Sequence, residues 1–117
     1  MSTAPPVVAL ASLRPDGART ARFEGRDHGS GVSFFAVDAD PGQGPPLHRH
    51  PYTETWVVIE GEAEVTLGDD VVRVRADEVA VVQANTWHRF VATGTGRLRM
   101  VCIHASDVMV QENRGDA

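Results

Sequence analysis

Apolar and polar residues alternate along most of this chain, and glycine, proline or acidic turns break the alternation at short intervals. Glu62 to Leu67 puts Ala63, Val65 and Leu67 on one side. Val71 to Arg75 opposes Val72 and Val74 to Arg73 and Arg75. A period of two marks a strand with one wet face. The same reading predicts strands over Val32 to Asp38, Thr53 to Ile59, Val79 to Val82, His88 to Ala92 and Leu98 to His104. Pro41 to Pro46, Gly68 to Asp70, Asp77-Glu78, Ala84 to Thr86 and Gly94 to Gly96 read as the turns between them. No window carries a period of 3.6. The expectation is one all-β domain over residues 1–117, with a barrel core over 30–105, an arm or edge strand in 1–25 and a polar tail over 106–117.

The candidate chemistry sits in the histidines. His48 and His50 are two apart, so on a strand both imidazoles project to one side, and Glu54 has the same parity beyond Pro51. His88, following a turn, supplies a third imidazole. Three neutral imidazoles and one carboxylate suit a divalent first-row ion and leave a site charge of +1. A His-x-His pair by itself carries little weight, since it often marks a surface strand or a hydrogen-bonded core position.

The spacing around that pair carries more. Gly42, five residues, His48, one, His50, three, Glu54, six and Gly61 resembles the first signature motif of the cupin superfamily, a match expected by chance on the order of 10⁻⁴ of the time. A second cupin motif follows in part. His88 is kept, while Asp77, Gln83, Asn85 and Ala92 stand at positions where the family often has Gly, Pro, Gly or Asn, and Asn. The resemblance implies a double-stranded β-helix, or jelly-roll, barrel. It also implies one divalent transition metal (Fe²⁺, Mn²⁺, Ni²⁺ or Zn²⁺) held by His48, His50, Glu54 and His88.

Parity then selects the rest of a cavity. Trp56 shares the face of Glu54, Phe90 that of His88, and Met100 and Cys102 that of His104, so Trp56, Phe90, Met100 and Cys102 are candidate pocket residues. His104 is either a proton shuttle or a hydrogen-bonded rim histidine. Tyr52 is either a phenolic acid at the cavity mouth or a loop aromatic covering the core. His28 falls in a turn and is expected to be solvated. Arg49, Arg89 and Trp87 should point away from the metal.

Composition narrows the function further. The sequence contains no lysine, which excludes Schiff-base chemistry, a phosphate-loop lysine and a lysine base. A net charge of −5 without a basic run argues against nucleic acid. No apolar run approaches the roughly 20 residues of a membrane helix, and Met1 to Pro6 lacks the pattern of a secretion signal. The single cysteine, Cys102, allows no internal disulfide, and the expected compartment is the cytoplasm. Three functions follow: a dioxygenase-type oxidoreductase acting on a small organic molecule, a non-oxidative isomerase, cyclase or lyase, or a small-ligand-binding barrel without catalysis. Apolar side chains opposite the cavity (Val57, Ile59, Val101, Ile103) predict a homodimer.

Overall fold

The computed structural model describes residues 6–114; most of the Met1–Pro6 start and the last three residues of the tail lie outside them. Ten strands among the described residues form two antiparallel five-stranded sheets. In chain order they are β1 (Ala21–Phe23), β2 (Ser33–Ala39), β3 (His48–Arg49), β4 (Glu54–Glu60) and β5 (Glu62–Leu67). The second half adds β6 (Asp70–Arg75), β7 (Val79–Val82), β8 (His88–Thr93), β9 (Leu98–His104) and β10 (Glu112–Asn113). One sheet runs β1-β2-β9-β4-β7 and the other β10-β3-β8-β5-β6, the jelly-roll arrangement. The only helical pieces among the described residues are short 3₁₀ turns at Leu10–Leu13 and Gly25–His28.

The core forms where the inward residues of both sheets meet. Trp56, Val58, Val65, Ala92, Leu98 and Met100 are almost fully buried there. The outward positions of β5 and β6 carry the opposite pattern, with Arg73 2.9 Å from Glu62 across the ladder. Arg97 likewise pairs with Asp38 across the first sheet. These arginines therefore dress wet strand faces.

Two turn positions account for part of the second motif. Asp77 and Asn85 adopt positive φ, +69° and +62°. Glycine takes that conformation without strain, and Asn and Asp tolerate it better than other residues. Gly61, at φ +82°, turns β4 into β5, and an added Cβ would collide with the Arg97 carbonyl oxygen.

The structure corrects several expectations. The strand holding His48 is only two residues long and His50 lies just beyond it, because Pro51 cannot donate to a ladder and the chain leaves one sheet for the other there. Glu54 therefore does not continue the His48 strand. Within the polar tail β10 pairs with β3, and Arg49 forms a two-pronged ion pair with Glu112. Residues 21–23 form an edge strand, preceded by a 3₁₀ turn that no periodicity announced. His28 lies in a turn as predicted, yet it is half-buried and stacks on Phe23 at 4.4 Å.

Candidate metal centre

His48 on β3 is directly opposite His88 on β8, so these two imidazoles come from neighbouring strands of one sheet. His50 follows β3, and Glu54 opens β4 in the facing sheet. One ligand atom from each of the four residues falls within 4.8 Å of the others, and all four side chains are buried.

The three histidines share a local device. Nδ1 of His48, His50 and His88 lies 2.8, 3.0 and 2.7 Å from the backbone carbonyl of Pro46, Tyr52 and Thr86 respectively. A carbonyl only accepts, so in each case Nδ1 carries the proton and the neutral ring presents its Nε2 lone pair inward. Nε2 of His50 and of His88 sits 2.9 and 3.1 Å from the same Glu54 Oε1. Lone pairs so placed repel unless a proton or a cation lies among them. The donor set of three imidazole nitrogens and one carboxylate thus fits a divalent first-row ion.

Electrostatics agree with this. Burial pushes the Glu54 carboxyl up, but, without an ion, protons shared with the Nε2 atoms of His104, His50 and His88 outweigh it and hold the group far below the usual carboxylate range. Burial lowers His48 despite its bond to Pro46, which keeps the ring neutral and available as a ligand.

His104 and Tyr52 extend the cluster. His104 Nε2 lies 3.3 Å from Glu54 Oε2, and its Nδ1 lies 2.7 Å from the Tyr52 hydroxyl. That hydroxyl also faces the Val110 carbonyl at 3.3 Å and the Val110 N–H at 3.2 Å. Burial raises the Tyr52 phenol above its ordinary value, so it remains protonated. The Tyr52 ring stacks on His50 at 4.4 Å.

A cavity of about 300 Å³ opens on this group. His48, Glu54 and His104 form its polar end; Phe35, Val37, Trp56, Phe90 and Cys102 form apolar walls. Exposed Gln43 and Gln111 mark the mouth. Of the pocket residues expected from parity, Trp56, Phe90 and Cys102 line this cavity. Met100 shares their face but is packed in the core and is not among the residues lining the cavity. Burial, then Glu54, pushes the Cys102 thiol well above its ordinary value, so it is an apolar wall and not a nucleophile. Arg49 points away as expected, with its guanidinium 4.5 Å over the Trp87 ring. Phe35 and Val37 were absent from the expected pocket although the alternation of β2 marked them. Gln111 had no signal, lying in an irregular tail.

Comparison with known proteins agrees with this geometry. Polyketide synthase CurC of Streptomyces cyaneus is 36% identical over 76 residues, 64% of this chain and 49% of that protein. The chain thus spans about half the length of that relative. A solved cupin 2 domain-containing protein from Halorhodospira halophila superposes with a TM-score of 0.73 at 25% identity, covering 89% of this chain and 82% of the other. A recombinant oxalate oxidase in complex with glycolate superposes with a TM-score of 0.72 at 26% identity, covering 85% and 56%. The cupin domain family model (Cupin_2) matches residues 35–104, more than half of the sequence. With that match laid over a jelly roll in which four buried candidate ligands cluster beside a cavity, the chain belongs to the cupin domain family.

Proposed function

We propose that this cupin is a metal-dependent enzyme that takes a proton from a small chelating organic molecule and returns it elsewhere, as an isomerase or cyclase does. The observation that carries this reading is His104 at the polar end of the cavity, its Nδ1 hydrogen-bonded to the Tyr52 hydroxyl at 2.7 Å and its Nε2 3.3 Å from Glu54 Oε2. His48, His50, Glu54 and His88 would hold the ion. When bound, a divalent ion supplies Lewis acidity toward a chelating oxygen and, if it is iron, reactivity with dioxygen.

The protein's own groups handle the proton. Tyr52 supports both tautomers of His104. With Nδ1–H donating to the phenol oxygen and the phenol donating to the Val110 carbonyl, Nε2 has a free lone pair. With the Val110 N–H donating to the phenol and the phenol donating to Nδ1, Nε2 carries a proton. A histidine that can hold its proton at either nitrogen is suited to act as base and then acid at one site. The similarity to a protein named polyketide synthase CurC supports a polyketide as the substrate class.

A dioxygenase-type oxidoreductase is the second reading, supported by the likeness to oxalate oxidase. A homodimer through the outer face of β4, β7 and β9 and a cytoplasmic setting complete the proposal.

Metal analysis of protein purified without an affinity tag or added metal tests it, with the His48→Ala/His50→Ala variant alongside. Near-stoichiometric zinc, manganese or nickel that the variant lacks, with proton exchange into a 1,3-dicarbonyl probe slowed in Tyr52→Phe, is the expected result. Iron with oxygen uptake would move the assignment to the second reading. No metal after reconstitution with each ion would overturn both.

A further inference from the structure

The outer face of the first sheet carries a groove as well as an apolar patch. Leu10, Ala36, Ile59 and Val101 give this groove of about 190 Å³ an apolar lining. Arg14, Arg19, Arg97 and Arg99 line it too. Asp38 and Asp40 engage Arg19 and Arg97, whereas Arg14 and Arg99 make no ion pair among the described residues. In a chain of net charge −5 without lysine, four guanidinium groups at one groove are a local exception. A segment that fits it carries acid beside an apolar side chain. The chain displays such a segment where β6 turns into β7, in the order Asp77, Glu78, Val79. All three are exposed, Val79 by 59%. Glu78 accepts the Arg75 N–H, while Asp77 has no ion-pair partner among the described residues.

Within one chain the groove and the turn are apart, since β9 and β4 separate β2 from β7. Strand register shows how two copies bring them together, because directly paired residues point the same way. Ala36, Val101, Val57 and Val79 form one row across the outer face. Asp38, Arg99 and Glu60 form another two residues along, at the end where β7 runs back into Asp77. A homodimer is isologous about a two-fold axis. With that axis along the strands, between β9 and β4, each row meets the same row in reverse order. Val79 of one copy then falls on Ala36 in the groove of the other, and Asp77 falls among the arginines. Glu60 meets Arg99, Val57 meets Val101, and both grooves are filled at once. An axis across the strands instead leaves the grooves empty. It turns each charged end onto the end holding Ile103, Thr55 and Val81, which buries charge without a partner.

We infer that the groove receives the turn at residues 77–79 of a second copy of this chain, with the two-fold axis of the dimer running along β4 and β9. This rests on the dimer reading above and adds to it the orientation of the copies and the segments that join them. Glu54 and Trp56 take the opposite face of β4 and are buried, so the metal centre lies outside the contact.

Charge exchange tests this on the full chain, with sedimentation equilibrium as the readout. Arg14→Glu/Arg99→Glu and Asp77→Arg should each weaken self-association at least about tenfold, because like charges then meet twice per dimer. An equimolar mixture of the two should recover the dimer affinity of the parent, since in the mixed pair each groove faces a turn of opposite charge. Leu10→Cys and Val79→Cys, both at exposed positions, give a second measurement. A bis-maleimide spanning about 10 Å, the spacing of packed sheets, should link the mixture of these two and neither variant alone. Val79→Cys linking to itself, no link in the mixture, or no recovery in the charge-exchanged pair would overturn the inference while leaving the dimer standing. If Asp77→Arg does not fold, the cross-link decides. A monomeric parent would overturn the dimer reading and this inference together.

Discussion

Glu54 is asked to stay ionised in a place that disfavours charge. Burial opposes its charge, and three imidazoles turned toward it more than compensate. Its folded-state value lies below its ordinary 4.5, so the stability it contributes is present above pH 4.5 and is lost as the pH falls through the lower, folded value. His48 is displaced the same way for a different reason. Burial lowers it from 6.5, so folding resists its protonation and stability begins to fall below pH 6.5. Both signs agree: the metal-free protein should melt at progressively lower temperature from pH 6.5 downward, more steeply below 4.5. Protons compete with metal for the same nitrogens, so the added stability in excess zinc should vanish over the same descent. Calorimetry across pH 4 to 8, with and without zinc, checks both; a melting temperature that rises on acidification would contradict the assignment.

At the scale of single elements, the turn between β6 and β7 decides a small but measurable energy. Asp77 holds φ +69° there, its N–H bonded to the Val58 carbonyl 2.9 Å away. Asp77→Ala should be the less stable replacement and Asp77→Gly the more stable, with a gap of about 1 kcal/mol, because only a Cβ is strained at that φ. Thermal melts of the two variants measure the gap, and equal melting temperatures would show that the turn adapts. The same geometry accounts for what the second motif tolerates. Asn85 stands where the backbone again needs positive φ, and its N–H bonds the His50 carbonyl at 2.8 Å, which ties the β7–β8 turn to the ligand loop. At Asp77 the departure from the motif concerns backbone conformation, and His88 keeps its place in the candidate ligand set.

Over the whole molecule, one surface stands out. The first sheet exposes Ile59, Val79 and Val81, each at least half exposed, beside the half-buried Val57, Val101 and Ile103. An apolar sheet face of this kind is expected to be covered by a second copy of the chain. Sedimentation equilibrium should return a dimer, and Val79→Arg/Val81→Arg should return a monomer that still binds metal; a monomeric parent would remove the expectation. No helix among the described residues is long and apolar enough to cross a membrane.

Much of this architecture was legible in the chain alone. β5, β7 and β9 were bounded correctly by alternation and turn residues, since a strand with one wet face writes its period directly into the sequence. The spacing from Gly42 to Gly61 singled out three of the four residues that the fold brings together, the second motif supplied His88, and parity placed Trp56, Phe90 and Cys102 on the inner faces. What parity could not supply was the reason His50 and Glu54 meet. Their shared parity was read across an irregularity at Pro51, whereas the chain passes from one sheet to the other there. Nor did any local pattern mark Gln111 at the cavity mouth or Val110 against Tyr52, because an irregular tail has no period to read. Periodicity is a short-range property and specifies which face a side chain takes. Which faces oppose each other, and hence which carboxylate meets which imidazoles across a cavity, depends on contacts between segments distant in the chain, and only the packing of the two sheets decided it.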